Sequence, residues 1–161
     1  MRKALYIISI LIIWTLLGFC GNMPTVVPHV VLVAKEYADT IENFKVIKVR
    51  DGDTFVITIE DTPDVFGEEI AVRIRGIDTP ELNDKREEIK AIAIKAKEEL
   101  EKLLTSGRKI VLYNLGRDKY FRLLASVKVG DGNMPADAID VAEYLIKKGL
   151  AKEYDGGKKV W

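Results

Sequence analysis

β-branched and aromatic residues crowd two runs, residues 44–50 and 54–60, separated by Asp51-Gly52-Asp53, a spacing that predicts a hairpin. Residues 61–69 carry Asp, Thr, Pro and Gly and read as a longer connection. The next run alternates: Ile70, Val72 and Ile74 point one way, Arg73 and Arg75 the other. Asp78-Thr79-Pro80-Glu81 ends it, because Pro80 has no N–H for a sheet ladder. From residue 86 to 105 the period lengthens to that of a helix. Ile89, Ile92 or Ala93, Ala96, Leu100 and Leu103 or Leu104 share one face, and Gly107 is a stop. Residues 109–115 and 121–129 predict two further strands joined by a turn at Gly116-Arg117-Asp118. The second of them sets Phe121, Leu123, Ala125 and Val127 on one face and Arg122 on the other. A second helix is predicted to open at residues 131–135, with Pro135 in its first turn, and to end near Gly149. Five short strands, with one helix after the third and another after the fifth, give a mainly β, α+β class: a small five-stranded barrel with two packed helices.

Ahead of this unit, Arg2 and Lys3 precede sixteen uncharged, mostly apolar residues, 4–19, the pattern of a secretory signal or membrane anchor. At 1.5 Å per residue that run spans about 24 Å, short of a ~30 Å hydrocarbon core unless it continues toward Met23. Cys20 stands where a lipid-modified cysteine stands, although Phe19 fills a position such signals give to a small residue, so cleavage, retention and lipidation all remain open. The expected organisation is a signal or anchor over residues 1–21, a linker over 22–41, and a folded domain over 42–161. The expected location is secreted or tethered to the outer face of the cell membrane. His29 falls in the linker and reads as a solvated residue.

Composition narrows the chemistry. A chain of 161 residues with 48% hydrophobic content and balanced charge is not disordered. A single cysteine excludes a disulfide framework and a Cys-based zinc site, and a single histidine excludes a multi-His centre. Without Arg2 and Lys3, 23 basic residues face 25 acidic ones, so no basic coating exists and an anionic substrate must be met by local cationic clusters. Any catalysis runs on carboxylates, Arg, Lys, Tyr or a hard metal ion.

Four charged clusters fall at predicted strand ends: Asp51/Asp53, Arg73/Arg75, Asp78/Glu81 and Arg117/Lys119/Arg122. Together they hold what phosphodiester hydrolysis needs. Attack of water gathers negative charge on phosphoryl oxygens, which planar guanidiniums can grip two at a time. Carboxylate oxygens and a loop carbonyl suit Ca²⁺ or Mg²⁺ rather than zinc, and a further carboxylate can accept the proton of the attacking water.

Val49-Arg-Asp-Gly-Asp-Thr54, Val72-Arg-Ile-Arg-Gly-Ile-Asp-Thr-Pro-Glu81, Asp118-Lys-Tyr-Phe-Arg122 and Lys148-Gly-Leu-Ala151 occur in the order found in thermonuclease (staphylococcal nuclease-like) proteins, which the chain resembles over residues 44–154. The resemblance implies an OB-type barrel and a Ca²⁺-dependent nuclease acting on DNA and RNA and leaving 3′-phosphate ends; with the amino-terminal segment the expectation is an exported nuclease, and a monomer is expected. The resemblance also implies Asp53, Asp78 and the carbonyl of Thr79 as ligands of one Ca²⁺ ion. Arg73 and Arg122 match the phosphate-binding arginines, and Glu81 the proposed general base. Asp51 matches a supporting acid, Lys119 and Tyr120 match phosphate contacts, and Tyr154 lies near a base-stacking tyrosine. Phe121 departs from the pattern, standing where the family commonly has glycine, and the connection between Asp53 and Arg73 is longer than in the type member. The alternative is a catalytically silent module that binds nucleic acid or protein at the cell envelope. The presence of all five charged positions disfavours it.

Overall fold

The computed structural model describes residues 39–132, 138–157 and 161. The expected signal or anchor, most of the expected linker, Cys20 and His29 lie outside those residues. Among the described residues no helix is long and apolar enough to cross a membrane.

The predicted hairpin is present as β1 (Phe44–Asp51) and β2 (Thr54–Ile59), paired antiparallel from Phe44↔Ile59 to Asp51↔Thr54. Two register shifts along β1 bend the ribbon. The connection after β2 holds a four-residue helix, α1 (Asp64–Gly67), that the sequence reading treats as loop. The third predicted run splits into β3 (Ile70–Ile74) and β4 (Ile77–Asp78) because Gly76, at φ +82°, turns the chain between them.

The long helix α2 (Glu87–Leu104) buries Ala93, Ala96, Leu100, Leu103 and Leu104, the face its period predicts. It carries the chain to β5 (Lys109–Arg117), which pairs antiparallel with β6 (Leu123–Gly130). β6 then lies parallel to β3, with Val72↔Leu123 in register, a pairing that needs a crossover such as α2 supplies. The sheet order is β1-β2-β3-β6-β5, a curled half-barrel. Ile41, just ahead of β1, exchanges two backbone hydrogen bonds with Leu112 of β5, at 2.9 and 3.0 Å, so the two ends of the sheet approach one another. Phe55, Ile57, Val72, Leu112, Val127 and Val129 fill the concave side against Leu100 of α2. Full burial contributes about 1.5–3 kcal/mol for each large side chain.

Two expectations fail at the far end of the sheet. The turn predicted at residues 116–118 lies two residues later, since β5 runs on to Arg117, and Phe121 is 79% exposed at φ +61° rather than on the core face of β6. The second helix, α3 (Val141–Lys147), starts at an Asp140 cap whose carboxylate accepts the N–H of Glu143. Ile139–Asp140 first pairs with β6 as a short strand, β7, so the helix opens later than predicted, and Pro135 lies outside the described residues. A last short strand, β8 (Lys152–Glu153), pairs with β4 and draws the end of the chain across the sheet's rim.

α3 is tied to α2 at Glu99, whose Oε2 accepts from Lys148 Nζ at 2.7 Å and from the Tyr144 hydroxyl. These bonds, Lys148 first, hold the Glu99 carboxylate below its usual range, and they raise Lys148. A depressed carboxylate contributes stability above its unfolded pKa of about 4.3 and loses it as pH falls through the lower folded value. Glu99→Gln is therefore expected to lower the melting temperature near neutral pH by about 1–2 °C, as suits an exposed pair. The gap between variant and wild type should close on acidification below pH ~4, which thermal melts across a pH series would read. A gap that stays constant with pH would assign the effect to packing.

Candidate active site

Strand pairing alone brings three distant stretches to one end of the sheet. Thr54, at the start of β2, pairs directly with Arg73 of β3, and β3 runs beside β6 with Arg73↔Leu124 in register. Asp53 therefore arrives next to Arg73, and Arg122, one residue before β6, arrives beside both. Gly76 turns the chain so that β4 delivers Asp78 and Thr79 to the same place.

Arg73 is 8% exposed. Its Nη1 lies 2.5 Å from Asp53 Oδ2 and its Nη2 3.3 Å from Asp78 Oδ1, so a single guanidinium bridges both buried carboxylates. Asp53 Oδ2 also accepts the N–H of Thr79 at 3.1 Å, and its Oδ1 accepts the Thr54 hydroxyl at 2.9 Å. Arg122 Nη1 donates to that same hydroxyl at 3.4 Å, while its Nε donates to Asp118 Oδ2 at 2.7 Å. The chain of contacts Asp118–Arg122–Thr54–Asp53–Arg73–Asp78 joins residues from three connections into one polar layer over an apolar core. Buried charges of this kind persist only when paired and hydrogen-bonded.

The layer floors a cleft of about 1040 Å³ that also takes in Asp51, Glu81, Lys119, Tyr120 and Tyr154. Every site residue expected from the sequence thus lines this cleft. Their closeness differs. Asp51 sits against Asp53, with Asp51 Oδ1 accepting the Asp53 N–H at 3.2 Å, and burial together with the Asp53 charge pushes its carboxyl up to about 6. Glu81 is exposed on the loop after β4. Lys119 and Tyr120 are exposed at the mouth, the Tyr120 ring lying 5.1 Å from Lys119 Nζ and 5.6 Å from the Arg122 guanidinium. Tyr154 follows β8, its ring 5.9 Å from the Arg73 guanidinium.

Four participants escape the sequence reading as site residues. Thr54 couples the two arginines through one hydroxyl. Asp118 organises the β5–β6 turn: one carboxylate oxygen takes the N–H groups of Tyr120 and Arg122 at 2.8 and 3.0 Å, and the other takes Arg122 Nε. Burial pushes the Asp118 carboxyl up, but the bonds from Arg122 and from the two N–H groups outweigh it and hold it low. The Asp-x-x-x-Arg spacing is a signal that could have revealed it. Gly52 packs its Cα against Ala96 of α2 and Thr79. Trp161 donates its indole N–H to the Asp78 carbonyl at 3.0 Å, with Lys152 Nζ 4.0 Å above its ring. Nothing local in the sequence announces that contact.

A family model described as staphylococcal nuclease homologue matches residues 71–159, just over half of the chain. The matched stretch runs from Ala71 past Tyr154 and leaves β1, β2, Asp51 and Asp53 outside it. No curated protein matches the chain.

Proposed function

This chain belongs to the staphylococcal nuclease homologue family, and on that premise we propose that it hydrolyses phosphodiester bonds of DNA and RNA with the help of a divalent cation. The supporting observation is one cleft in which two guanidiniums meet at Asp53: Arg73 pairs with its carboxylate directly at 2.5 Å, and Arg122 lies 3.4 Å from the Thr54 hydroxyl that donates to that carboxylate. Arg73 and Arg122 grip non-bridging phosphate oxygens and neutralise the charge that builds on them. Glu81 accepts a proton as the oxygen of water bonds to phosphorus. The bond to the 5′-oxygen breaks, that oxygen takes a proton from solvent, and the phosphate stays on the 3′ side.

The cleft's charge fits a hard cation. Its lining holds six carboxylates, Asp51, Asp53, Asp78, Glu81, Asp118 and Asp155, against four cations, Arg73, Arg75, Lys119 and Arg122. Burial first, and the charge of neighbouring Asp53 second, raise the Asp51 carboxyl. Among the described residues no group of three or more His, Cys, Asp or Glu side chains is arranged to hold a metal. Asp53, Asp78 and the Thr79 carbonyl, completed by water, are the groups that would hold the ion; such oxygen ligands suit Ca²⁺ or Mg²⁺, and the family resemblance favours Ca²⁺. When bound it offsets phosphate charge and lowers the pKa of water. A site with so few protein ligands is weak and is filled at the millimolar calcium found outside cells, which agrees with export through residues 1–21.

The test is digestion of plasmid DNA and of RNA with added Ca²⁺, repeated in chelator. Both substrates are expected to be cut, and chelation to reduce cutting at least a hundredfold. Cutting that ignores the chelator would refute the metal's part. No cutting with any divalent ion would replace the hydrolase with a silent binding module.

A further inference from the structure

Among the cationic groups of the cleft, Arg75 differs from the two arginines already described. Arg73 is engaged by Asp53 and Asp78, and Arg122 by Asp118. Among the described residues no carboxylate lies within ion-pair distance of Arg75. Its charge is nevertheless held in place. The Arg75 N–H donates to the Ala125 carbonyl at 2.8 Å, fixing its backbone to β6. Its Nε donates to the Asn114 carbonyl at 3.0 Å. That acceptor belongs to an irregular stretch of β5, where register shifts between Tyr113 and Gly116 and Asn114 takes φ +51°. Two residues on, Gly116 lies so close to the guanidinium that a Cβ there would come within 2.6 Å of Arg75 Nη2. A bulged strand, a turned carbonyl and a missing side chain thus form a seat for one guanidinium. They occupy its Nε and leave both Nη groups for a ligand.

Arg75 lines the same cleft as Arg73 and stands two residues after it. Arg75 lies one residue beyond β3, in the turn to β4, and its side chain reaches past β6 to the Asn114 carbonyl of β5, so the cleft holds its charge apart from the Arg73 pair with Asp53 and Asp78. We infer that Arg75 forms a second phosphate subsite, which holds the phosphate next to the one cleaved and so favours polynucleotides over ligands with a single phosphate. This rests on the hydrolase reading for the identity of the ligand. An engaged arginine contributes little net attraction to a distant anion, because its partner cancels its field. An uncompensated, immobilised one contributes its full charge and a two-pronged donor.

The measurement is fluorescence anisotropy of labelled single-stranded deoxyoligonucleotides carrying one or two phosphates, in chelator, across a salt series. Wild type is expected to bind the two-phosphate ligand about tenfold more tightly than the one-phosphate ligand, and Arg75→Met to lose that gain. The slope of log K against log salt for the longer ligand should fall by about 0.7. Gly116→Ala keeps the charge but pushes the guanidinium off its seat, and is expected to lose most of the gain as well. The inference is overturned by wild type showing no gain from the second phosphate, by Arg75→Met retaining the gain, or by Gly116→Ala behaving as wild type. The digestion assay judges hydrolysis separately, so a nuclease that passes it while Arg75→Met binds normally loses only this subsite.

Discussion

Arg122→Ala is expected to slow phosphodiester hydrolysis by roughly 10³–10⁵-fold, the range seen when a charge-stabilising arginine is removed from phosphoryl-transfer sites, while the domain stays folded. The side chain is 29% exposed and its partner Asp118 15%, so the carboxylate left behind can reach water. Arg73→Ala should cost at least as much activity, but its second consequence differs. Asp53 and Asp78 side chains are 9% and 1% exposed, and Arg73 is the cation that both share. Removing one partner of a buried pair leaves uncompensated charge, a loss of about 3–5 kcal/mol. Turnover of a saturating oligonucleotide, read beside thermal melts, separates the two: Arg122→Ala loses activity at a nearly unchanged melting temperature, and Arg73→Ala loses both. Turnover within tenfold of wild type for both variants would remove the arginines from the chemistry. Equal melting temperatures would remove Arg73 from the structural role.

That contrast between the arginines is visible only in three dimensions. Alternation along residues 70–77 correctly separates Arg73 from the apolar face of β3, yet it assigns both arginines to one outward side without saying what covers it. The cover for Arg73 comes from Asp53, twenty residues earlier, through the pairing of Thr54 with Arg73. Local pattern carries what local physics fixes: the β1–β2 hairpin, the buried stripe of α2, the stop at Gly107. It fails where a side chain overrides the period. Phe121 continues the apolar alternation of β6, but the Asp118 carboxylate collects the N–H groups of Tyr120 and Arg122 and turns the chain before the strand begins. Pro135 is a fair helix opener, but the cap that starts α3 is Asp140, five residues after it in the sequence, once Ile139 and Asp140 have paired with β6. That the expected site residues come to one cleft was legible only from their combination, since charges at strand ends are common in this chain. Thr54, whose hydroxyl links Asp53 to Arg122, was not legible, since a threonine opening a strand is ordinary.

Gly52→Ala is expected to lower stability by about 1–3 kcal/mol and to reduce turnover by about a hundredfold. Gly52 occupies the middle of the β1–β2 turn, where a Cβ would come within 2.6 Å of Ala96 Cβ and 2.9 Å of Thr79 Oγ1. The Ala96 methyl is fixed to the backbone of α2 and cannot rotate aside, so the turn itself must move. Asp53 is the next residue, and its Oδ2 holds the Thr79 N–H. A shift of the turn therefore drags one carboxylate of the site away from Arg73 and Thr79. Misplacement by about 1 Å can cost two orders of magnitude in rate without removing any catalytic group. Ala96→Gly supplies the control. Alone it weakens α2 by roughly 1 kcal/mol, but combined with Gly52→Ala it opens the space the new methyl needs. The double variant should then be more stable than the two losses added together, and should recover part of the turnover. Strictly additive losses would show that Gly52 serves the turn's own backbone and not the contact between the turn and α2.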